Sequence, residues 1–153
     1  GRTGATLAET WAGSPSAYRG VSIHGFPNLF FLYGPNTNLG HSSIVLMLEP
    51  QARYVSTTIA HLRTAGIDTV EVRADAQHQY NSHLDDELAG TVWNTGGCAS
   101  WYIDSSGRNS VMWPTFTNTY RRLMSHFEPL DHRLGRRHGA TAGQSAREAE
   151  VGR

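Results

Sequence analysis

An α/β fold follows from three patterns in this 153-residue sequence. Leu29-Phe30-Phe31-Leu32-Tyr33 is a continuous apolar run bounded by Pro27-Asn28 and Gly34-Pro35. Apolar on both faces, it suits a strand buried in a parallel sheet. Val45, Leu48, Ala52, Val55, Ile59 and Leu62 then recur at spacings of three and four, the stripe of a long helix. Thr69-Val70-Glu71-Val72-Arg73 alternates as a short strand.

Taken in order, Gly1 to Gly25 are rich in Gly, Ser, Ala and Pro and read as an irregular lead-in with a helical turn at Leu7 to Trp11. Ser42 or Ser43 can cap the long helix, and Gly66 stands where it would stop. Pro50 removes an amide donor and crowds the carbonyl of Leu46, which predicts a kink there. Asp75 to Leu88 reads as an amphipathic helix, with Ala76, Tyr80 and Leu84 on one face. Thr91 to Thr95 and Ser100 to Ile103 read as extended, and Asp104-Ser105-Ser106-Gly107 as a turn. Phe116, Tyr120, Leu123 and Phe127 predict a helix over Thr115 to Phe127. After Leu134 the core pattern stops, so residues 135–153 are expected to be a disordered tail.

Lys plus Arg equal Asp plus Glu at 13 each, so no global field draws the chain to nucleic acid or to an anionic membrane. The apolar runs are too short to span a bilayer, and no signal segment opens the chain. Cys98 is the one cysteine, which excludes an internal disulfide and fits a reducing, cytoplasmic compartment. As a nucleophile it is underdetermined, since a lone cysteine is usually a small buried residue. His78 and His83 are five apart, the wrong spacing for a helical zinc pair, and Asp85-Asp86-Glu87 fan around a helix as a solvated face. No metal site is expected.

The unit that carries chemistry is the apolar run, then Gly34-Pro35-Asn36-Thr37-Asn38-Leu39-Gly40, then a helix start. Such a junction gathers unpaired amides at the positive end of a helix dipole, which suits a phosphate, a carboxylate or an electron-rich ring edge. Gly34 and Gly40 allow close backbone approach, and Asn36 and Asn38 tolerate left-handed backbone. A ligand-free strand-to-helix connection satisfies the same pattern.

Pro27 to Ser43 closely resembles a segment near the C-terminal end of Baeyer–Villiger and related class B flavin monooxygenases. The resemblance continues, in order, at Gly97-Cys98-Ala99-Ser100-Trp101-Tyr102, at Val111-Met112-Trp113-Pro114 and at Tyr120-Arg121-Arg122, and covers residues 1–134. It implies the C-terminal part of a Rossmann-like FAD-binding domain, a buried parallel strand entering a long helix, with an α+β extension. It also implies FAD and NADPH as cofactors, and insertion of one oxygen atom from dioxygen into a ketone, or oxygenation of a sulfide, through a peroxyflavin. Carried over, Gly34, Pro35, Asn36, Thr37, Asn38 and Leu39 would line the flavin ring, their amides acting by oxyanion-hole logic. Trp101 and Tyr102 match aromatic positions near the nicotinamide and substrate side, whereas Trp113 and Tyr120 read as structural. Without the resemblance, Trp101 and Tyr102 read as core aromatics of a strand.

No GxGxxG follows a strand anywhere in the sequence, and nothing replaces the family's upstream catalytic arginine. The expectation is a fragment that is inactive alone and whose partners are N-terminal FAD and NADPH domains. The alternative is a non-catalytic interaction or cap domain that completes another chain.

Overall fold

Thr6 and Glu9 start the first helix, α1 (Leu7–Trp11), by a reciprocal pair of hydrogen bonds. The Thr6 hydroxyl accepts from the Glu9 amide at 3.2 Å, and the Glu9 carboxylate accepts from the Thr6 amide at 2.7 Å. The computed structural model describes residues 1–96 and 100–136. Its further elements are α2 (Val45–Thr64), β1 (Thr69–Val72), α3 (Ala74–Ala89), α4 (Val92–Thr95), α5 (Thr117–Leu123), a 3₁₀ turn at Pro129–Asp131 and β2 (His132–Gly135).

The long helix sits where its period predicts, but a different face is buried. Met47, Pro50, Gln51, Tyr54, Thr58 and Leu62 point inward. Val45 and Ile59, from the predicted stripe, are 51% and 44% exposed. The inward face is turned by about one residue because Gln51, Tyr54 and Thr58 are polar and escape an apolar count. Pro50 lies inside the helix, which runs without interruption from Val45 to Thr64. Gly66, at φ +64°, closes the helix. The Ile67 amide reaches back to the Leu62 carbonyl at 2.8 Å and the Gly66 amide to that of Arg63 at 3.1 Å. This closure satisfies carbonyls that the helix end would otherwise leave free.

β1 pairs antiparallel with β2, Thr69 opposite Gly135 and Val72 opposite His132. On β1, buried Glu71 accepts the Gly25 amide at 3.0 Å and forms an ion pair with Arg2, tying the lead-in to the sheet. Between the strands, α3 buries Leu84 and Leu88. These join Met47 and Tyr54 of α2, Met112, Trp113 and Tyr120 in the core. Trp113 and Tyr120 are buried, 5% and 0% exposed.

Several sequence expectations are corrected. Residues 29–33 form no strand, and the sheet among the described residues is antiparallel with two strands. A strand needs a neighbour, and here the run has only isolated bonds such as the Phe31 amide to the Val21 carbonyl at 2.8 Å. Its end bends at Tyr33, φ +61°, which leaves Leu32 and Tyr33 57% and 52% exposed. Thr91 to Thr95 are not extended: the Thr91 carbonyl accepts from the Asn94 and Thr95 amides and starts α4. The stretch from Ser100 to Ile103 folds into a turn closed by the Ile103 amide on the Ser100 carbonyl, with one bridge to Asn109. α5 is shorter than predicted and leaves Phe116 76% exposed. The tail boundary also moves, because Gly135 belongs to β2 and its carbonyl accepts from the Asp68 amide at 2.9 Å. The rest of the predicted tail, past Arg136, lies outside the described residues.

Candidate functional site

The turn after residue 33 is built by polar side chains rather than by a strand. Asn36, φ +56°, and Thr37 are 2% and 0% exposed. The Asn36 amide donates to the Ser110 carbonyl and the Asn38 amide to that of Val111, both at 3.0 Å. The Trp113 amide returns to the Asn38 carbonyl at 2.9 Å. Residues 36–38 thus run beside 110–113 in a short parallel contact, bridged at Asn38 and Met112. The Asn36 side chain, donating to the Asn109 and Met112 carbonyls at 2.7 and 3.2 Å, locks it.

This arrangement opens a cavity of about 360 Å³ lined by Trp11, Pro15, Phe31, Tyr33, Gly34, Pro35, Asn38, Trp101, Ser110 and Val111. Four residues singled out from sequence therefore meet on one cavity: Gly34, Pro35 and Asn38 from the turn, and Trp101 from a segment more than sixty residues later. The other four stand behind it. Asn36 and Thr37 are buried, Leu39 packs on the core, and Tyr102 is half-buried between Trp101 and Trp93 at ring separations of 4.7 and 5.6 Å. Trp101 is 70% exposed, so it is not a core aromatic. Of its motif, Gly97, Cys98 and Ala99 lie outside the described residues.

Gly34 and Gly40 do allow a close approach, as expected, and the group that approaches each is part of this chain. A Cβ on Gly34 would stand 2.3 Å from the Gly20 carbonyl oxygen, and one on Gly40 would stand 2.1 Å from the Trp93 ring. Both admit close packing within the chain. The start of α2 does not enter the cavity: residues 41–44 intervene, and no first-turn residue lines the wall. Asn36 and Asn38 have already spent their amides, and Pro35 has none. Of the turn residues that line the cavity, Gly34 keeps a backbone amide that is not bonded to the facing 110–113 segment.

Sequence reasoning missed Trp11, Pro15, Phe31, Tyr33, Ser110 and Val111. Phe31 and Tyr33 were masked by the strand reading, and Trp11 and Pro15 by a lead-in without a period. Trp11 stacks near Phe31 at 5.7 Å and donates to the Ser16 carbonyl at 2.9 Å. The Tyr33 hydroxyl donates to Asn38 Oδ1 at 2.9 Å. Ser14 donates to Asp104 at 2.7 Å, fastening the lead-in to the turn after Trp101. Desolvation opposes charge on Asp104, but hydrogen bonds from Ser106 and Ser14 and from the Ser106 and Arg108 amides prevail and hold its carboxyl down to about 2. Among the described residues, no three His, Cys, Asp or Glu converge on a metal position. No described helix is long and apolar enough to cross a membrane.

No protein-family model matches the chain. It is 41% identical over 153 residues to a Baeyer–Villiger monooxygenase of Pseudomonas aeruginosa, across 99% of this chain and 29% of that protein. It is 41% identical, over 99% of the chain and 30% of the relative, to a Baeyer–Villiger monooxygenase of Streptomyces coelicolor. The chain thus spans about three tenths of the length of these relatives. A solved structure titled as an oxidized steroid monooxygenase bound to NADP superposes with a TM-score of 0.77 at 28% identity, over 89% of this chain and 26% of that one. Agreement in sequence and in fold along almost its whole described length makes this chain the counterpart of the C-terminal portion of a Baeyer–Villiger-type monooxygenase.

Proposed function

We propose that this chain forms one wall of the active site of an FAD- and NADPH-dependent monooxygenase that oxygenates a ketone, or a sulfide, in a cytoplasmic setting. The observation that carries the reading is the meeting of Gly34, Pro35 and Asn38 with exposed Trp101 on one cavity. The residues present fit one side of a flat aromatic cofactor: a turn with few side chains faces an indole, and Tyr33, Phe31 and Trp11 continue the apolar wall. When bound, reduced flavin supplies the activation of dioxygen. Gly34 would offer a backbone donor to the ring, and Trp101 would shield the nicotinamide side from water. Asn38, its side chain held between the Tyr33 hydroxyl and the Met112 sulfur, would fix the turn beside the ring.

The dinucleotide-binding glycine motifs are absent from this sequence, so both cofactors would be held mainly by the remainder of the enzyme. In the same reading, residues 29–33 complete a Rossmann-like parallel sheet of that remainder. Exposed Leu32, Val45 and Ile59 are surface that it would cover. The isolated chain is then inactive and does not retain flavin. The test is to express the chain joined to the upstream reading frame and to follow NADPH oxidation with cyclic and aryl ketones and with sulfides. Ketone- or sulfide-dependent turnover by the joined protein, with colourless isolated chain, is the expected result. Stoichiometric yellow flavin on the 153 residues alone, or an upstream frame without a GxGxxG, overturns it.

A further inference from the structure

We propose that Arg108, which lies outside the cavity, is a positioning residue that sets the shape of the cavity wall. This rests on the reading of that wall as the flavin-facing side. Arg108 is 18% exposed and spends its guanidinium on five oxygens. Its Nε donates to the Asp85 carboxylate at 2.9 and 3.1 Å. One terminal nitrogen donates to the Pro15 carbonyl at 2.8 Å. The other donates to the side-chain carbonyls of Asn36 at 2.9 Å and Asn81 at 3.3 Å.

The consequence for Asn36 is chemical. An arginine only donates, so the Asn36 side chain must turn its oxygen to Arg108 and its nitrogen to the Asn109 and Met112 carbonyls. That buried amide is therefore held from one side by Arg108 and from the other by the Asn109 and Met112 carbonyls, in a residue whose backbone is left-handed. Three stretches of the cavity wall meet at this guanidinium. Pro15 is bonded directly, Gly34 and Pro35 precede bonded Asn36, and Ser110 and Val111 follow Arg108 in the chain. Asn81 and Asp85, one turn apart on α3, hold the guanidinium from behind. A lysine would keep the charge beside Asp85 but not the fork that reaches Pro15 and Asn36 together.

Arg108→Lys tests this on the 153-residue chain by amide hydrogen exchange. The Asn36 and Asn38 amides are expected to exchange about tenfold faster or more, the factor for losing a charge-assisted hydrogen bond. The Asp68 amide, bonded to Gly135 in the distant sheet, should keep its rate. Unchanged rates at Asn36 and Asn38, or an equal rise at Asp68, overturn the proposal. In the flavoprotein that contains the chain, Arg108→Lys and Gly34→Ala are both expected to shift the visible absorption bands of bound flavin. A shift with Gly34→Ala alone removes the positioning role of Arg108 and leaves the flavin-facing reading standing. No shift with either overturns that reading, and the proposal with it.

Discussion

Gln51 is the most informative residue to change, because it joins the cavity wall to the core. It is 0% exposed in the middle of α2. Its Oε1 accepts the Tyr33 amide at 2.8 Å, and its Nε2 donates to the Tyr120 hydroxyl at 2.8 Å. Tyr120, also 0% exposed, donates its hydroxyl to the Arg19 carbonyl at 2.8 Å. In Gln51→Leu the Tyr33 amide loses its acceptor, and the Tyr120 oxygen loses its donor while keeping Arg19. With roughly 1 kcal/mol per net hydrogen bond and about 1–3 for a buried group left unpaired, the cost is about 2 kcal/mol. Tyr120→Phe strands Gln51 Nε2 and the Arg19 carbonyl at a similar cost. The double variant replaces both partners by apolar groups of similar shape, so it should lose at least about 1 kcal/mol less than the sum of the singles. Urea unfolding of the four proteins measures this. Costs that add within about 0.5 kcal/mol, or a Gln51→Leu chain as stable as the parent, would refute the network.

Gly40→Ala drives a methyl into the Trp93 ring. It should destabilise by about 1–3 kcal/mol and change tryptophan fluorescence, since the contact in the native chain is already closed. Trp101→Ala should leave stability within about 0.5 kcal/mol because the ring is mostly exposed, yet alter nicotinamide binding in the flavoprotein, as titration would show. Burial lowers the pKa of His132, against the hydrogen bond that its Nδ1 makes to the Glu128 carbonyl. The unfolded chain therefore takes up the proton first, and this contribution is present above about pH 6.5 and lost as pH falls below it. His132→Asn should flatten that part of the stability profile. Asp104, held down to about 2, contributes stability that is present above about pH 4 and lost as pH falls toward 2; Asp104→Asn should remove this acid step.

Local signals carried much of the fold. The helical turn at residues 7–11 has its capping pair within four residues, and α3 and β1 have periods that survive in place. The Gly66 stop is equally local, because a left-handed residue is needed wherever a helix closes this way. The site was half legible: motif order singled out Gly34, Pro35, Asn38 and Trp101, but not the lead-in residues that share their cavity.

Sequence alone determined α1, α2 and α3, and singled out the separated residues Gly34, Pro35, Asn38 and Trp101 that share one cavity, because capping, period and motif order are written in neighbouring residues. Only tertiary structure decided which face α2 buries, since Gln51 is inward for the sake of Tyr33 and Tyr120. It decided the pairing of β1 with β2 across about sixty residues, where no local pattern names a partner. It also decided that residues 29–33 are no strand here. A strand is completed by hydrogen bonds to a neighbour, and among the described residues that neighbour is not supplied.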